Sequence, residues 1–239
     1  MRAVVCLPTY NERENLESMI RALGEVLDVS RDRVLVIDDG SPDGTGEIAD
    51  RLAGELAWVS VLHREMKEGI GPAYIAGFRH ALAEDAELVL EMDCDFSHDP
   101  ADVPRLIEAA DNADLVLGSR YVPGGGTANW GLVRRIVSRG GCLYAQVLLG
   151  MRVRDLTGGF KCFRRAALEA IELDALSAHG YAFQIEATYR VKRAGFRIRE
   201  VPITFVERRA GASKMTGSIV AEAMWRVPLL RLRALVGRL

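Results

Sequence analysis

The feature that most constrains this chain is an alternation in its first half. Short apolar runs of strand length take turns with longer stretches whose apolar residues recur at helical spacing. Residues 3–8 (AVVCLP), 33–38 (RVLVID), 58–63 (WVSVLH), 87–92 (ELVLEM) and 114–119 (DLVLGS) are brief and rich in Val and Leu, as strands buried on both faces are. Helical patterns fill the intervals at 14–27, 45–56, 71–84 and 102–110. That order predicts an α/β fold with a mostly parallel central sheet and helices on both faces. Ligands of such open sheets gather beyond the carboxyl ends of the strands, so the residues after each run come first. They are Pro8 to Glu12 (PTYNE), Asp38 to Thr45 (DDGSPDGT), Asp93 to Pro100 (DCDFSHDP) and Gly118-Ser119-Arg120. Polar chemistry is concentrated at one sheet edge.

The 239 residues, 49% hydrophobic and 27% charged, suit one compact domain with room for an appendage. The opening MRAVVCLPTY runs straight into a strand pattern, without the layout of a secretion signal. Cys6, Cys94, Cys142 and Cys162 are widely spaced and suggest neither a disulfide framework nor a zinc site, so a reducing cytoplasm is the simpler expectation. No stretch reaches the roughly 18–20 consecutive apolar residues of a spanning helix. The net charge of −2 hides an asymmetry: residues 1–128 hold 11 Lys/Arg against 25 Asp/Glu, and the remainder 20 against 8. A basic second half calls for an anionic partner or surface, unless it is merely a solvated face.

Beyond residue 128 the pattern changes. Residues 130–150 place Leu132, Val133, Ile136, Val137, Leu143, Tyr144, Val147 and Leu148 at near-helical spacing, with Arg134, Arg135 and Arg139 on another side. This predicts interfacial amphipathic helices, split at Gly140-Gly141; the alternative is a helix packed on its own core. The tail from Ile219 is apolar and basic in the same way, and Pro228 is expected to interrupt it.

Asp93-x-Asp95 after the fourth strand is the sharpest chemical signal. At a strand-to-loop bend both carboxylates can approach one divalent cation that bridges a substrate diphosphate, and hard oxygen ligands favour Mg²⁺ or Mn²⁺. Such a triplet alone is common in surface turns; its place on the same edge as Asp39 is what favours chemistry. A second signal is residues 203–215, where Arg208 and Lys214 can meet phosphates around the small Gly211, Ala212 and Ser213.

Seven segments in order, PTYNE at 8–12, VIDDGSPDGT at 36–45, MDCDFSHDP at 92–100, LGSRY at 117–121, DLTGGFKCFRR at 155–165, HGYAFQIE at 179–186 and FVERRAGASKM at 205–215, resemble the polyprenol (dolichol) phosphate mannose synthases. These are inverting family 2 glycosyltransferases of the GT-A fold, and the resemblance spans residue 3 to about 216. It implies a catalytic domain over 1–216 and a helical tail over 217–239. It also implies transfer of mannose from GDP-mannose to polyprenyl or dolichyl phosphate. Pro8, Tyr10, Glu12, Ile37 and Asp39 fall where such enzymes hold base and ribose. Asp93, Cys94 and Asp95 fall at the sugar-diphosphate and metal site, Asp95 as direct ligand. Several relatives carry Gln at the position of Ser97, which counts against a side-chain role there. Arg120 matches an arginine facing donor and acceptor phosphates, Arg208 and Lys214 match a closing loop, and Asp155 and Gln184 lie in motifs near the sugar pocket.

The chemistry agrees with those roles. Negative charge develops on the leaving diphosphate, where a cation with Arg208 and Lys214 would stabilise it. A lipid monophosphate is already ionised, so no base need deprotonate it, and direct displacement inverts an α-linked donor to a β-linked product. The rival within the same chemistry is a UDP-glucose-dependent glucosyltransferase. A rival of another class is a non-catalytic nucleotide-binding module; nucleic acid is disfavoured because the basic residues lack a stacking aromatic set. The acceptor places the chain at the cytoplasmic face of a membrane, held there by an interfacial helix or by a small membrane partner subunit.

Overall fold

The computed structural model describes residues 2–176, 180–207 and 217–237. Its centre is a seven-stranded sheet in the order β3-β2-β1-β4-β7-β5-β8. The strands are β1 (Ala3–Thr9), β2 (Arg33–Asp38), β3 (Val59–His63), β4 (Leu88–Glu91), β5 (Leu115–Ser119), β7 (Lys161–Arg164) and β8 (Ile198–Pro202). β7 runs antiparallel to both of its neighbours, and every other pairing in the sheet is parallel. The five expected strands all form, within a residue of the predicted ends. A separate parallel pair joins β6 (Gly126–Ala128) to β9 (Thr204–Val206).

Helices α1 (Leu16–Val26), α2 (Thr45–Glu55) and α4 (Val103–Ala109) cover one face of the sheet; α3 (Ile70–Ala83), α5 (Leu132–Leu149), α7 (Gly180–Arg193) and α8 (Gly217–Leu235) cover the other. A short α6 (Arg165–Glu169) follows β7. Alternation along the strands explains how both faces become buried. In β1, Val4 and Cys6 join the α3 side with Tyr74 and Phe78, whereas Ala3, Val5 and Leu7 join the α1 side with Met19 and Ile20. Close packing of α3 depends on Gly77: a Cβ there would lie 2.3 Å from Ile37 Cδ1.

After β1 the chain builds β2 and β3 on one side and then crosses to lay β4 on the other. The reversal opens a crevice at the carboxyl ends of β1 and β4, where ligands of doubly wound sheets bind.

Two local expectations are corrected. Gly140 and Gly141 do not split residues 130–150; α5 is one helix, its Cys142, Ala145 and Leu149 buried against the core. Two glycines cost about 1 kcal/mol each relative to alanine, which this packing outweighs. Nor does Pro228 interrupt the tail, since α8 continues through it. A proline at 228 cannot donate to the carbonyl of Met224, four residues earlier. Tyr144 of α5 takes over, its hydroxyl donating to that carbonyl at 2.6 Å. Val227, Leu230 and Ala234 of α8 belong to the same core as α7.

Candidate active site

The β1–α1 and β2–α2 loops are knitted to each other. Asp38, buried at the end of β2, accepts from Ser41 Oγ at 2.6 Å and from Thr9 Oγ1 at 3.3 Å. Thr45, which begins α2, accepts from Glu12 N at 3.0 Å and donates to Asp43 Oδ1 at 2.6 Å. Glu12 is buried and accepts from Asn15 Nδ2 at 2.8 Å. These contacts hold Tyr10 and Asp39 on rigid supports at the crevice. Tyr10 is half-buried, with the Lys67 ammonium 3.9 Å from its ring centroid. Asp39 is buried and bonded by Arg64. Of the other residues expected on the nucleotide side, Pro8 lies in β1 at the same edge, while Ile37 is fully buried with its side chain under α3.

Asp93, Cys94 and Asp95 follow β4 after the single residue Met92. Asp93 is half-buried, Cys94 and Asp95 buried. Asp95 Oδ1 accepts from Ser97 N at 3.0 Å, a local turn that Phe96 completes with φ of 59°. Asp93 N donates to His98 Nδ1 at 3.1 Å. An imidazole that accepts at Nδ1 is neutral, and burial agrees: it pushes the His98 pKa down to about 4, against the pull of Asp95. His98 is wedged between aromatic rings, stacked on Phe160 at 4.8 Å and edge-on to Phe205 at 5.3 Å. It is a strut that shapes the Asp93 turn, a role that sequence reading missed.

This donor set fits a small hard cation shared with a ligand. Among the described residues no group of three or more His, Cys, Asp or Glu is placed to hold a metal ion by itself. Two carboxylates completed by phosphate oxygens and water are what Mg²⁺ accepts, and His98 Nδ1 is already engaged. Among the described residues the buried Ser97 Oγ beside Asp95 has no hydrogen-bond partner, so polar capacity remains there to be satisfied.

Arg120, immediately after β5, is buried and held from two sides. Its Nε donates to Asp155 Oδ2 at 2.7 Å and its Nη2 to Asp155 Oδ1 at 2.6 Å, with Thr157 Oγ1 at 2.9 Å from Nη2. The Arg120 backbone N also donates to Asp155, at 2.9 Å. Burial alone would raise the Asp155 pKa, but Arg120 more than offsets it and holds the carboxyl below its usual range. Asp155 is held in turn by Glu200, whose Oε1 accepts from Asp155 N at 3.0 Å and from Ser119 Oγ at 2.7 Å. Nη1 of Arg120 is bonded by no described residue, and Tyr121, Trp130 and Phe205 surround the guanidinium at 5.2–5.5 Å.

Gln184 of α7 reaches the sheet from the other side. Lys161 Nζ donates to its backbone carbonyl at 2.8 Å and to its side-chain Oε1. Glu91 faces Lys161 across the β4–β7 pairing. Burial raises the Glu91 pKa to about 7 and lowers that of Lys161 to about 8, and the attraction between the two opposes both shifts. Arg208 and Lys214 lie outside the described residues.

A fold of this kind, with an acidic pair at its switch point, suits the binding of a nucleotide together with a cation. Residues 4–172 match the family model described as glycosyl transferase family 2, and the chain belongs to that family. It is 50% identical over 228 residues to the undecaprenyl-phosphate mannosyltransferase of Micrococcus luteus, covering 95% of this chain and 93% of the relative. It is 46% identical over 228 residues to the polyprenol monophosphomannose synthase of Mycolicibacterium smegmatis, covering 95% of this chain and 85% of that one. Among solved structures it superposes on glucosyl-3-phosphoglycerate synthase of Mycobacterium tuberculosis with phosphoglyceric acid (TM-score 0.71, 22% identity, 96% of this chain and 79% of that one). The same enzyme solved with Mn²⁺, UDP and glucosyl-3-phosphoglycerate gives a TM-score of 0.68 at 23% identity, over 99% and 80% of the two chains. At that identity the likeness establishes the GT-A fold.

Proposed function

We propose that this glycosyltransferase moves mannose from GDP-mannose to the phosphate of a polyprenol, inverting the anomeric carbon. The observation that carries the reading is the pair Asp93 and Asp95 at the carboxyl end of β4, on the same edge as Arg120. The names of the two sequence relatives support the sugar and the acceptor class. Tyr10, Glu12 and Asp39 bind the nucleotide, and Asp93 and Asp95 would hold Mg²⁺ or Mn²⁺ against its diphosphate. Such an ion supplies positive charge to the departing phosphate. The polyprenyl phosphate arrives ionised, so the chain has no proton to remove from it. Its residues must instead hold two anions together, and Arg120, kept rigid by Asp155 and Thr157, has Nη1 for that purpose.

The acceptor's chain places the enzyme on a membrane surface, at the cytoplasmic face where nucleotide sugars are available. No helix among the described residues is long and apolar enough to cross a membrane. α5 offers an interfacial surface instead: Leu132, Val133, Ile136, Leu143 and Val147 are exposed, with Arg135 and Arg139 exposed beside them. A helix of that kind lies in the headgroup region with its apolar face inward. The test is incubation with Mg²⁺, a short polyprenyl phosphate and labelled GDP-mannose or UDP-glucose. Label is expected in the organic phase from GDP-mannose; label entering only from UDP-glucose would reject the donor.

A further inference from the structure

The loop between β3 and α3 carries cations toward the two residues on which nucleotide binding depends. Arg64 donates through Nη1 to Asp39 Oδ1 and through Nη2 to Glu68 Oε2, and its own side chain is only 11% exposed. Its position is set by the backbone as well. Arg64 N donates to Asp38 O at 2.8 Å, extending the β2–β3 pairing one residue past the end of β3. Gly40, with φ of 68°, lets the two loops close: a Cβ there would lie 3.1 Å from the carbonyl oxygen of Glu65. Three residues past Arg64, Lys67 covers the ring of Tyr10. Asp39 Oδ2, by contrast, has no hydrogen bond among the described residues.

We propose that Arg64 is a positioning residue of the nucleotide site, fixing and neutralising the Asp39 carboxylate so that Oδ2 is presented to a ribose hydroxyl of the donor. This rests on the reading that Asp39 serves the nucleotide. A carboxylate recognises ribose as an acceptor, so it must be both aimed and ionised. Asp39 is poorly placed to stay ionised unaided. Burial raises its pKa, Arg64 opposes the rise, and Asp38 and Glu68 add to it. Among the described residues those are the charged groups that face it, with His63 behind Asp38 at 4.0 Å. Without Arg64 the carboxylate would take up a proton at higher pH and would be free to rotate.

The test is donor affinity of the full-length enzyme, measured as the KM for GDP-mannose and as GDP binding, across a pH series. In the parent, affinity falls on the acid side as Asp39 protonates. Arg64→Gln is expected to raise KM about tenfold near neutral pH, with kcat within about twofold. It is also expected to move the acid-side midpoint to higher pH, and Arg64→Lys to restore most of both. Should Arg64→Gln not fold, Asp39→Asn carries the test: its donor affinity is weaker than the parent's and flat across the same window. An Arg64→Gln enzyme with the parent's midpoint, or one that loses thermal stability and kcat while the midpoint stays, overturns the proposal alone. A parent that binds neither GDP-mannose nor UDP-glucose overturns the functional reading and this proposal with it.

Discussion

Asp93 and Asp95 stand two positions apart in different surroundings, one half-buried beside His98 and the other buried and tied to Ser97 N. Replacing Asp95 by Asn keeps the local acceptor but removes the charge, so transfer is expected to fall at least 100-fold while thermal stability changes little. A D95N enzyme with the parent's rate would show that this carboxylate holds no cation. Asp155 predicts the opposite pattern. It neutralises a buried guanidinium, and breaking such a pair costs roughly 3–5 kcal/mol, so D155A should lower the melting temperature by many degrees along with activity. Its depressed pKa gives a sign as well: the pair contributes stability above the unfolded carboxylate range, near 3.9, and that contribution is lost as pH falls below it. The placement of Asp39, Asp93 and Asp95 at the sheet edge was legible in the sequence because each comes within four residues of a strand's end, where chain geometry alone brings residues to the edge. The partners were not. Arg64 for Asp39, Asp155 for Arg120 and His98 for the Asp93 backbone are pairings that only the folded sheet creates, and no spacing rule announces them.

Among elements, the five strands of the first half could be read from apolar runs, because a strand buried on both faces has little other composition available. β7 could not. Lys161-Cys162-Phe163-Arg164 begins and ends with cations, and it becomes a central strand because Gln184 and the carbonyls of Ala110 and Ala113 receive them, with the charge of Glu91 attracting Lys161 across the pairing. α5 and α8 were legible as helices but not as continuous ones, since glycine and proline argue locally and tertiary packing decided. The Tyr144 bond gives a direct check. Y144F should destabilise the parent by about 1 kcal/mol, and by less in a P228A background, where the helix supplies its own donor to Met224. Equal effects in both backgrounds, measured by denaturant unfolding, would mean that the proline's missing donor is not what Tyr144 replaces.

At the scale of the whole molecule, the acidic first half holds Asp39, Asp93 and Asp95, the residues proposed for nucleotide and cation, and the basic second half the α5 surface. α8 extends the exposed apolar area with Met224, Trp225, Leu232 and Leu235. If that surface meets lipid, replacing Leu132, Ile136 and Val147 together by Ser should sharply reduce sedimentation with anionic liposomes, while turnover of a short, water-soluble polyprenyl phosphate is kept. Unchanged sedimentation would place the membrane contact elsewhere. The central claim, however, is that charge for bond cleavage is gathered by a cation on Asp93 and Asp95. The most direct measurement is transfer of labelled mannose from GDP-mannose to polyprenyl phosphate after exhaustive EDTA treatment, followed by return of Mg²⁺ or Mn²⁺. The account predicts no transfer in EDTA and full recovery with the ion; transfer that persists through chelation would contradict it.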